Sequence, residues 1–154
     1  MTGPPEEQLI LTAGQVAEMV THAWAEHPNE ACGILGGRDG RAEKVYPLPN
    51  TERSSVRYLA EPQAQLEAML EIEERGWKIV AIYHSHPHSP AYPSFTDVEM
   101  ACYPESLYLI ISLAEREKPV LRAFRIHIEN ESEGETETEV EIGQIEEVKV
   151  RVEE

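Results

Sequence analysis

The sequence is poor in cysteine, in basic residues and in long apolar runs. Its two cysteines, Cys32 and Cys102, are too few for a disulfide-stapled secreted domain. Apolar runs such as Ile79–Tyr83 and Leu107–Ile111 have the length of a buried strand, whereas a membrane-spanning helix requires about 20 apolar residues. The N-terminus lacks the basic flank and apolar stretch of a signal peptide. We therefore expect a cytoplasmic protein that has no contact with a membrane.

The shortage of basic residues gives a net charge of −16, from 13 Lys and Arg against 29 Asp and Glu in 154 residues. A field of this sign repels phosphate groups, so nucleic acids and anionic membrane surfaces are not expected as partners. The excess is uneven, because residues 1–128 carry 18 acidic and 11 basic side chains while residues 129–154 carry 11 and two. We expect residues 1–128 to form one domain and residues 129–154 to form an acidic C-terminal extension.

Within this extension, every second residue from Glu129 to Glu141 is Glu. As a strand, the segment would place seven like charges on one face, which opposes strand pairing. Residues 129–139 are therefore predicted to be a solvated tail. Over residues 148–152 valine alternates with basic residues, and this period predicts a final edge strand.

Hydrophobic periodicity predicts interleaved strands and helices in the first 128 residues. The predicted strands are Leu9–Leu11, Ala31–Leu35, Glu43–Leu48, Val56–Leu59, Lys78–Tyr83, Leu107–Leu113 and Val120–Ile128. The predicted helices are one with an apolar stripe from Val16 to Trp24, one from Pro62 to Gly76, and a short one from Thr96 to Cys102. Residues 84–96 contain three prolines and are predicted to be a stiff loop. This order indicates an α+β or mixed α/β domain rather than a doubly wound sheet.

Two histidines separated by one residue, His84 and His86, directly follow the Lys78–Tyr83 strand. In an extended chain such residues point to the same side, with Cα atoms about 6.6–6.8 Å apart, so both imidazoles can bind one metal ion. Asp97 lies eleven residues after His86, in the first turn of the next predicted helix. Its carboxylate completes a set of three ligands and leaves a fourth position for water, as in catalytic rather than structural zinc sites.

Each part of this pattern also has a simpler interpretation. His84, His86 and His88 fit a polar loop, and Ser94 with Asp97 fits a helix capping box. Neither interpretation explains the whole pattern, since His-x-His followed by Ser and Asp at this spacing arises by chance about once in a thousand such chains or less often. A capping role for Ser94 is compatible with a metal site. The pattern therefore favours a metal site at His84, His86 and Asp97.

The string His-Ser-His-Pro at residues 84–87, followed by Ser94 and Asp97 and preceded by Glu-Ala-Cys-Gly-Ile-Leu-Gly at residues 30–36, resembles the motif of the JAMM metallopeptidases, also called the MPN-plus or Mov34 family. The similarity is greatest to the short prokaryotic branch, which includes enzymes that act on sulfur-carrier proteins. It covers the chain from about residue 9 to residue 128. The resemblance implies a central, mostly antiparallel curved sheet flanked by helices, as in cytidine deaminases.

The resemblance also implies a zinc ion held by His84, His86 and Asp97, with Glu30 as general base and Ser94 as a stabiliser of the transition state. Zinc lowers the pKa of a bound water to near 7, and a carboxylate within reach can take the proton of that water and pass it to the leaving amine. A serine hydroxyl can donate to the developing oxyanion. Glu30 alone also fits a solvated acidic residue at the start of a strand. Its place at the head of a Gly-rich strand favours the role of general base.

The substrate implied by the resemblance is an amide bond at the C-terminal tail of a ubiquitin-like or sulfur-carrier protein. The alternatives are a noncatalytic MPN-type binding scaffold, against which an intact motif argues, and a zinc amidase that acts on small peptides. Tyr92 and Phe95 line the substrate channel in one interpretation and anchor the loop in the other. Cys32 is expected to be a small packing residue rather than an extra ligand. The sequence leaves a homodimer open.

Overall fold

The structure is a computed structural model, and it describes residues 7–127 and 144–154. In this part of the chain the helices are α1 (Ala13–Glu26), α2 (Pro62–Glu74) and α3 (Phe95–Met100). The strands are β1 (Gln8–Thr12), β2 (Cys32–Arg38), β3 (Arg41–Leu48), β4 (Lys78–His86), β5 (Leu107–Ser112), β6 (Val120–His127) and β7 (Gln144–Glu153). None of the helices in these ranges combines the length and the apolar character that crossing a bilayer requires.

The strands of the described residues form a closed barrel in the order β1-β3-β2-β4-β5-β6-β7, with β7 paired to β1. Four neighbouring pairs are antiparallel, while β1–β3, β1–β7 and β4–β5 are parallel. The mixed α/β class is confirmed, but the expected curved sheet closes into a barrel of mixed strand direction, in which four of the seven strand pairs are antiparallel. The sequence did not indicate closure, because periodicity reports each strand separately and the pairing of β1 with β7 joins distant parts of the chain.

The last strand, β7, was expected at a sheet edge but lies between β6 and β1. Val148 on this strand is buried against the main core, and Val150 packs beside it. The valine period therefore predicted the strand and the face it buries, although not its neighbours. The predicted solvated tail at 129–139 lies outside the described residues, as does the start of the predicted extension.

The two long helices cover two separate apolar clusters. Met19 and Ala23 of α1 are buried in the main core, and Ala68 and Ile72 of α2 are buried in a second cluster. The strand β2 lies between them, because its residues alternate between the two clusters. Both faces of β2 are thus covered, which explains why this strand is buried from its first residue to Gly37.

The structure corrects one predicted strand and two predicted boundaries. Val56–Leu59 is not a strand, since residues 51–59 form a loop closed by an isolated bridge between Asn50 and Ala60. The predicted stiff loop begins later than expected, because β4 continues through His86 before the first proline. The short helix α3 ends at Met100 rather than at Cys102.

The error at Val56–Leu59 has a physical cause. Its apolar residues suggested a buried face, but the side chains of Val56 and Leu59 are 67% and 49% exposed. Apolar spacing alone does not make a strand when no neighbouring strand is available to pair with it.

Candidate metal centre and active site

Three buried side chains converge where β4 ends and α3 begins. Nε2 of His84 lies 3.2 Å from Nε2 of His86 and 3.1 Å from Oδ1 of Asp97, and Nε2 of His86 lies 2.9 Å from Oδ2 of Asp97. Ligand atoms that surround a tetrahedral ion at about 2.0–2.1 Å lie about 3.3–3.4 Å from one another. The observed separations are close to these values. The three side chains therefore fit a metal ion that binds imidazole and carboxylate, as the spacing in the sequence predicted.

The orientation of each imidazole is set by its surroundings. Nδ1 of His86 donates to the carbonyl oxygen of Pro90 at 2.8 Å, so in the neutral imidazole Nε2 carries no hydrogen and can bind a metal. The ring of Tyr58 stacks on the ring of His84, with centroids 4.7 Å apart and planes at 24°. Both histidines also lie on one face of a strand that is paired on its two sides. The site is thus held in shape by the protein itself.

Asp97 is placed by the cap of the helix α3. The Ser94 hydroxyl oxygen accepts from the Asp97 N–H at 3.0 Å, and the Asp97 carboxylate accepts from the Ser94 N–H at 2.9 Å. Burial alone would raise the pKa of Asp97, but hydrogen bonds from His84, His86 and the Ser94 backbone outweigh it and hold this pKa well below its usual range. The capping box therefore also places the carboxylate of this candidate metal ligand.

The charge on Asp97 raises the pKa of His86. Burial alone would lower the pKa of His86, but the hydrogen bonds to the Asp97 carboxylate and the Pro90 carbonyl raise it above 6.5. The cluster without a metal ion thus favours a cation at this position. A bound metal ion supplies such a charge.

Glu30 is brought beside this cluster by the register of β2 on β4. Cys32 pairs with His84, and next to this pair the Ala31 N–H donates to the Ser85 hydroxyl oxygen at 2.8 Å. Continuing the register places Glu30 opposite His86, on the face of the sheet that carries the imidazoles. The Glu30 side chain is buried, and its Oε1 has no hydrogen-bond partner among the described residues. Burial and then the charge of Asp97 raise the pKa of Glu30 to about 8, while His86 opposes this.

Comparison with known proteins agrees with this geometry. Residues 12–127 match the sequence profile of the prokaryotic homologues of the JAB domain. The chain belongs to this prokaryotic JAB family. Its resemblance to the JAMM metallopeptidases is thereby confirmed.

The relatives of this JAB protein include peptidases. It is 40% identical over 120 residues to the CysO-cysteine peptidase of Mycobacterium tuberculosis, a match that covers 77% of this chain and 82% of that protein. It is 35% identical over 113 residues to the desampylase of Haloferax volcanii, covering 68% and 81%. A protein from Desulfitobacterium hafniense with a known solution structure is 38% identical in sequence. The two structures superpose with a TM-score of 0.77, covering 95% of this chain and 93% of that one. The JAB protein is a hydrolytic enzyme.

Near the three candidate ligands, Ser94 is exposed to solvent and Cys32 is buried. Ser94 is exposed, and since its oxygen accepts from Asp97 its hydroxyl hydrogen remains available for donation. Cys32 is buried, with Sγ 3.8 Å from the carbonyl oxygens of Leu48 and Pro49. Burial raises the pKa of its thiol to about 12, so Cys32 is a neutral packing residue as expected.

Of the two loop aromatics, Tyr92 packs edge-on against Phe124, with ring centroids 5.3 Å apart, so it anchors the loop. Phe95 at the start of α3 is 69% exposed.

Sequence reasoning missed two residues that shape the JAB site. Asn50 donates to the Glu30 carbonyl oxygen at 3.0 Å, and Tyr58 stacks on His84. Tyr58 lies in the segment predicted as the strand Val56–Leu59, and Asn50 lies between this segment and the preceding strand. Neither residue type carries a signal by itself, because asparagine is common in loops and tyrosine is common in strands.

Proposed function

We propose that this JAB protein is a zinc-dependent peptidase or isopeptidase that cleaves an amide bond at the C-terminal tail of a ubiquitin-like or sulfur-carrier protein. His84, His86 and Asp97 would hold the zinc ion, Glu30 would act as general base, and Ser94 would stabilise the transition state. The substrate class is supported by the names of relatives, the CysO-cysteine peptidase and the desampylase.

The observation that carries the proposal is the buried carboxylate of Glu30. It lies opposite His86, its Oε1 has no partner in the described residues, and its pKa is raised to about 8. Burial of a carboxylate whose Oε1 has no hydrogen-bond partner is unfavourable for folding. Its place beside the three candidate metal ligands therefore supports a catalytic role for Glu30.

The donor set supports zinc as the metal. Two imidazole nitrogens and one carboxylate oxygen form a three-ligand set of the kind found in catalytic zinc sites. When bound, zinc supplies a Lewis acid that polarises the scissile carbonyl and makes a water acidic near neutral pH. Glu30 takes the proton of the attacking water and later gives it to the leaving amine.

Ser94 contributes a hydrogen bond that strengthens as the reaction proceeds. Its oxygen is held by the Asp97 N–H, which restricts the side-chain rotamer and leaves the hydroxyl hydrogen available for donation. Donation to the carbonyl oxygen grows as negative charge develops there, so the contact stabilises the transition state more than the substrate.

The test is hydrolysis of a sulfur-carrier protein extended at its C-terminus by one amino acid, measured together with zinc content. Glu30→Gln keeps the size of the side chain and removes the base, so we expect unchanged zinc content and a loss of kcat of about 10²-fold or more. The control is Glu43→Gln on the exposed side of β3, which should retain full activity.

Full activity of zinc-loaded Glu30→Gln would contradict the role of Glu30. Failure of the zinc-loaded wild type to cleave any carrier fusion, with cleavage of short peptides, would instead support the amidase alternative. A protein purified without chelator that holds no metal and cleaves neither would support the scaffold.

A further inference from the structure

The backbone of Glu30 is anchored to the loop 50–60 on both sides. The Glu30 N–H donates to the carbonyl oxygen of Ser54 at 2.8 Å, and the Glu30 carbonyl oxygen accepts from Nδ2 of Asn50 at 3.0 Å. Glu30 lies before the first residue of β2. These two bonds therefore hold its backbone in place, as strand pairing holds the residues that follow. Because Oε1 of Glu30 has no partner among the described residues, the position of the carboxylate depends on this backbone anchoring.

Asn50 also determines the shape of the loop from within. Its Oδ1 accepts from the N–H groups of Glu52 at 2.9 Å and Leu59 at 3.0 Å, while Nδ2 donates to the carbonyl oxygen of Arg57 at 3.3 Å in addition to that of Glu30. These four contacts use both hydrogens and both lone pairs of the side-chain amide. One side chain thus connects three points of the loop to the residue proposed as the base.

The same loop covers the metal site from the other direction, through Tyr58. The Tyr58 ring stacks on His84, and the base of the loop is closed by a hydrogen bond from the Thr51 N–H to the Leu59 carbonyl oxygen at 2.9 Å. An ordered loop therefore contacts both the proposed base and a proposed ligand.

We propose that Asn50 is a positioning residue, which orders the loop 50–60 and through it holds the Glu30 carboxylate where it can transfer a proton. The inference rests on the proposed function of Glu30 as general base. It predicts that changes at Asn50 act on the chemical step and leave metal binding intact. The three candidate ligands lie on β4 and α3, and although Tyr58 of the loop stacks on His84, the backbone of His84 is fixed in β4 by pairing with β2 and β5.

The test compares Asn50→Asp, Asn50→Ala and Thr51→Val in the zinc-loaded protein. Asp keeps the acceptor oxygen for Glu52 and Leu59 but turns a second oxygen toward the Glu30 carbonyl, while Ala shows the effect of losing the amide without adding a charge. For both variants we expect kcat on the extended carrier to fall about 10- to 100-fold, with less than about a threefold change in KM and unchanged zinc content. Thr51→Val removes a hydrogen bond within the loop, from its hydroxyl to the Leu59 carbonyl oxygen, and should stay within about twofold of wild type.

A double-mutant cycle with Glu30→Gln separates positioning from general damage to the fold. If Asn50 acts through Glu30, Asn50→Asp changes the remaining single-turnover rate of Glu30→Gln by less than about twofold. Hydrogen exchange at the Glu30 amide gives a readout without turnover, and it should be faster in both Asn50 variants but not in Thr51→Val.

Three results would overturn the inference. A wild-type kcat in both Asn50 variants while Glu30→Gln is inactive would overturn it alone and leave the proposed function standing. An equal loss of rate in the presence and absence of the Glu30 carboxylate would show that Asn50 acts on the fold in general. Full activity of Glu30→Gln would remove the proposed base and, with it, the role of Asn50.

Discussion

Removing the charge of Glu30 should stabilise the metal-free protein at alkaline pH. The carboxyl is buried without a hydrogen bond to Oε1 among the described residues, and the negative Asp97 on α3 faces it together with His86 on β4. The folded state therefore prefers the protonated form, and ionisation in the folded protein is unfavourable. In the unfolded chain the same side chain ionises freely near its ordinary pKa.

The sign and size of the effect follow from these two pKa values. The pKa of Glu30 rises from 4.5 to about 8 on folding, so the folded state binds the proton more tightly. The free energy of unfolding then decreases as pH rises from about 4.5 to about 8 and is level above this window. The full difference corresponds to about 5 kcal/mol at most, and relaxation with water entry leaves about 2–4 kcal/mol. For a chain of this size that is roughly 5–15 °C in Tm.

The assay is thermal unfolding of chelator-treated wild type and Glu30→Gln at pH 4.5 and at pH 9. We expect nearly equal Tm values at pH 4.5 and a higher Tm for the variant at pH 9. Glu43→Gln is the matched control, because that side chain is exposed and should leave the pH dependence as in wild type. A Tm difference between wild type and Glu30→Gln that is the same at both pH values would refute the reasoning.

Two further predictions concern the metal site and the packing of β2. Asp97→Asn removes a candidate ligand charge, so metal bound per chain should fall at least tenfold by elemental analysis, while wild-type metal content would contradict the ligand role. Gly33→Ala should lower the free energy of unfolding in urea by about 1–3 kcal/mol or more, because its Cβ would overlap the Tyr83 ring and lie 2.6 Å from the Tyr46 carbonyl oxygen. Gly14→Ala on α1 is the control for this change. Its Cβ would meet only Oγ1 of Thr12 at 3.8 Å, an ordinary contact, so the variant should be neutral or stabilised by up to about 1 kcal/mol.

The parts of the fold that the sequence predicted are those with a local physical signal. The stripe that includes Met19 and Ala23 predicted α1, and the β-branched run after Lys78 predicted β4. The grouping of three candidate ligands could be predicted for the same reason, since His84 and His86 share a strand face and Asp97 sits in the first turn of a capped helix. Closure of the barrel through β1 and β7 has no such signal, because it depends on pairing between the ends of the chain.

The structure of the loop 50–60 could not be predicted from hydrophobic periodicity. Its apolar residues were interpreted as a strand, yet the segment is held by bonds from the Asn50 side chain to backbone groups and not by strand pairing. Such bonds depend on which carbonyl and N–H groups come within about 3 Å, and hydrophobic periodicity carries no information about that. The anchoring of Glu30 could therefore be found only from the structure.

The two interpretations of Ser94 and Asp97, helix cap and metal site, were never physical alternatives. A capping box aligns the carboxylate at the third helical position with the first turn, and in α3 that same carboxylate meets His84 and His86. Its two oxygens serve both purposes, since Oδ2 accepts from the Ser94 N–H and also faces His86, while Oδ1 faces His84. The cap restricts the rotamer of Asp97 before any metal binds, which lowers the entropic cost of assembling the site. The helix cap at this position is therefore part of what brings the three candidate ligands together.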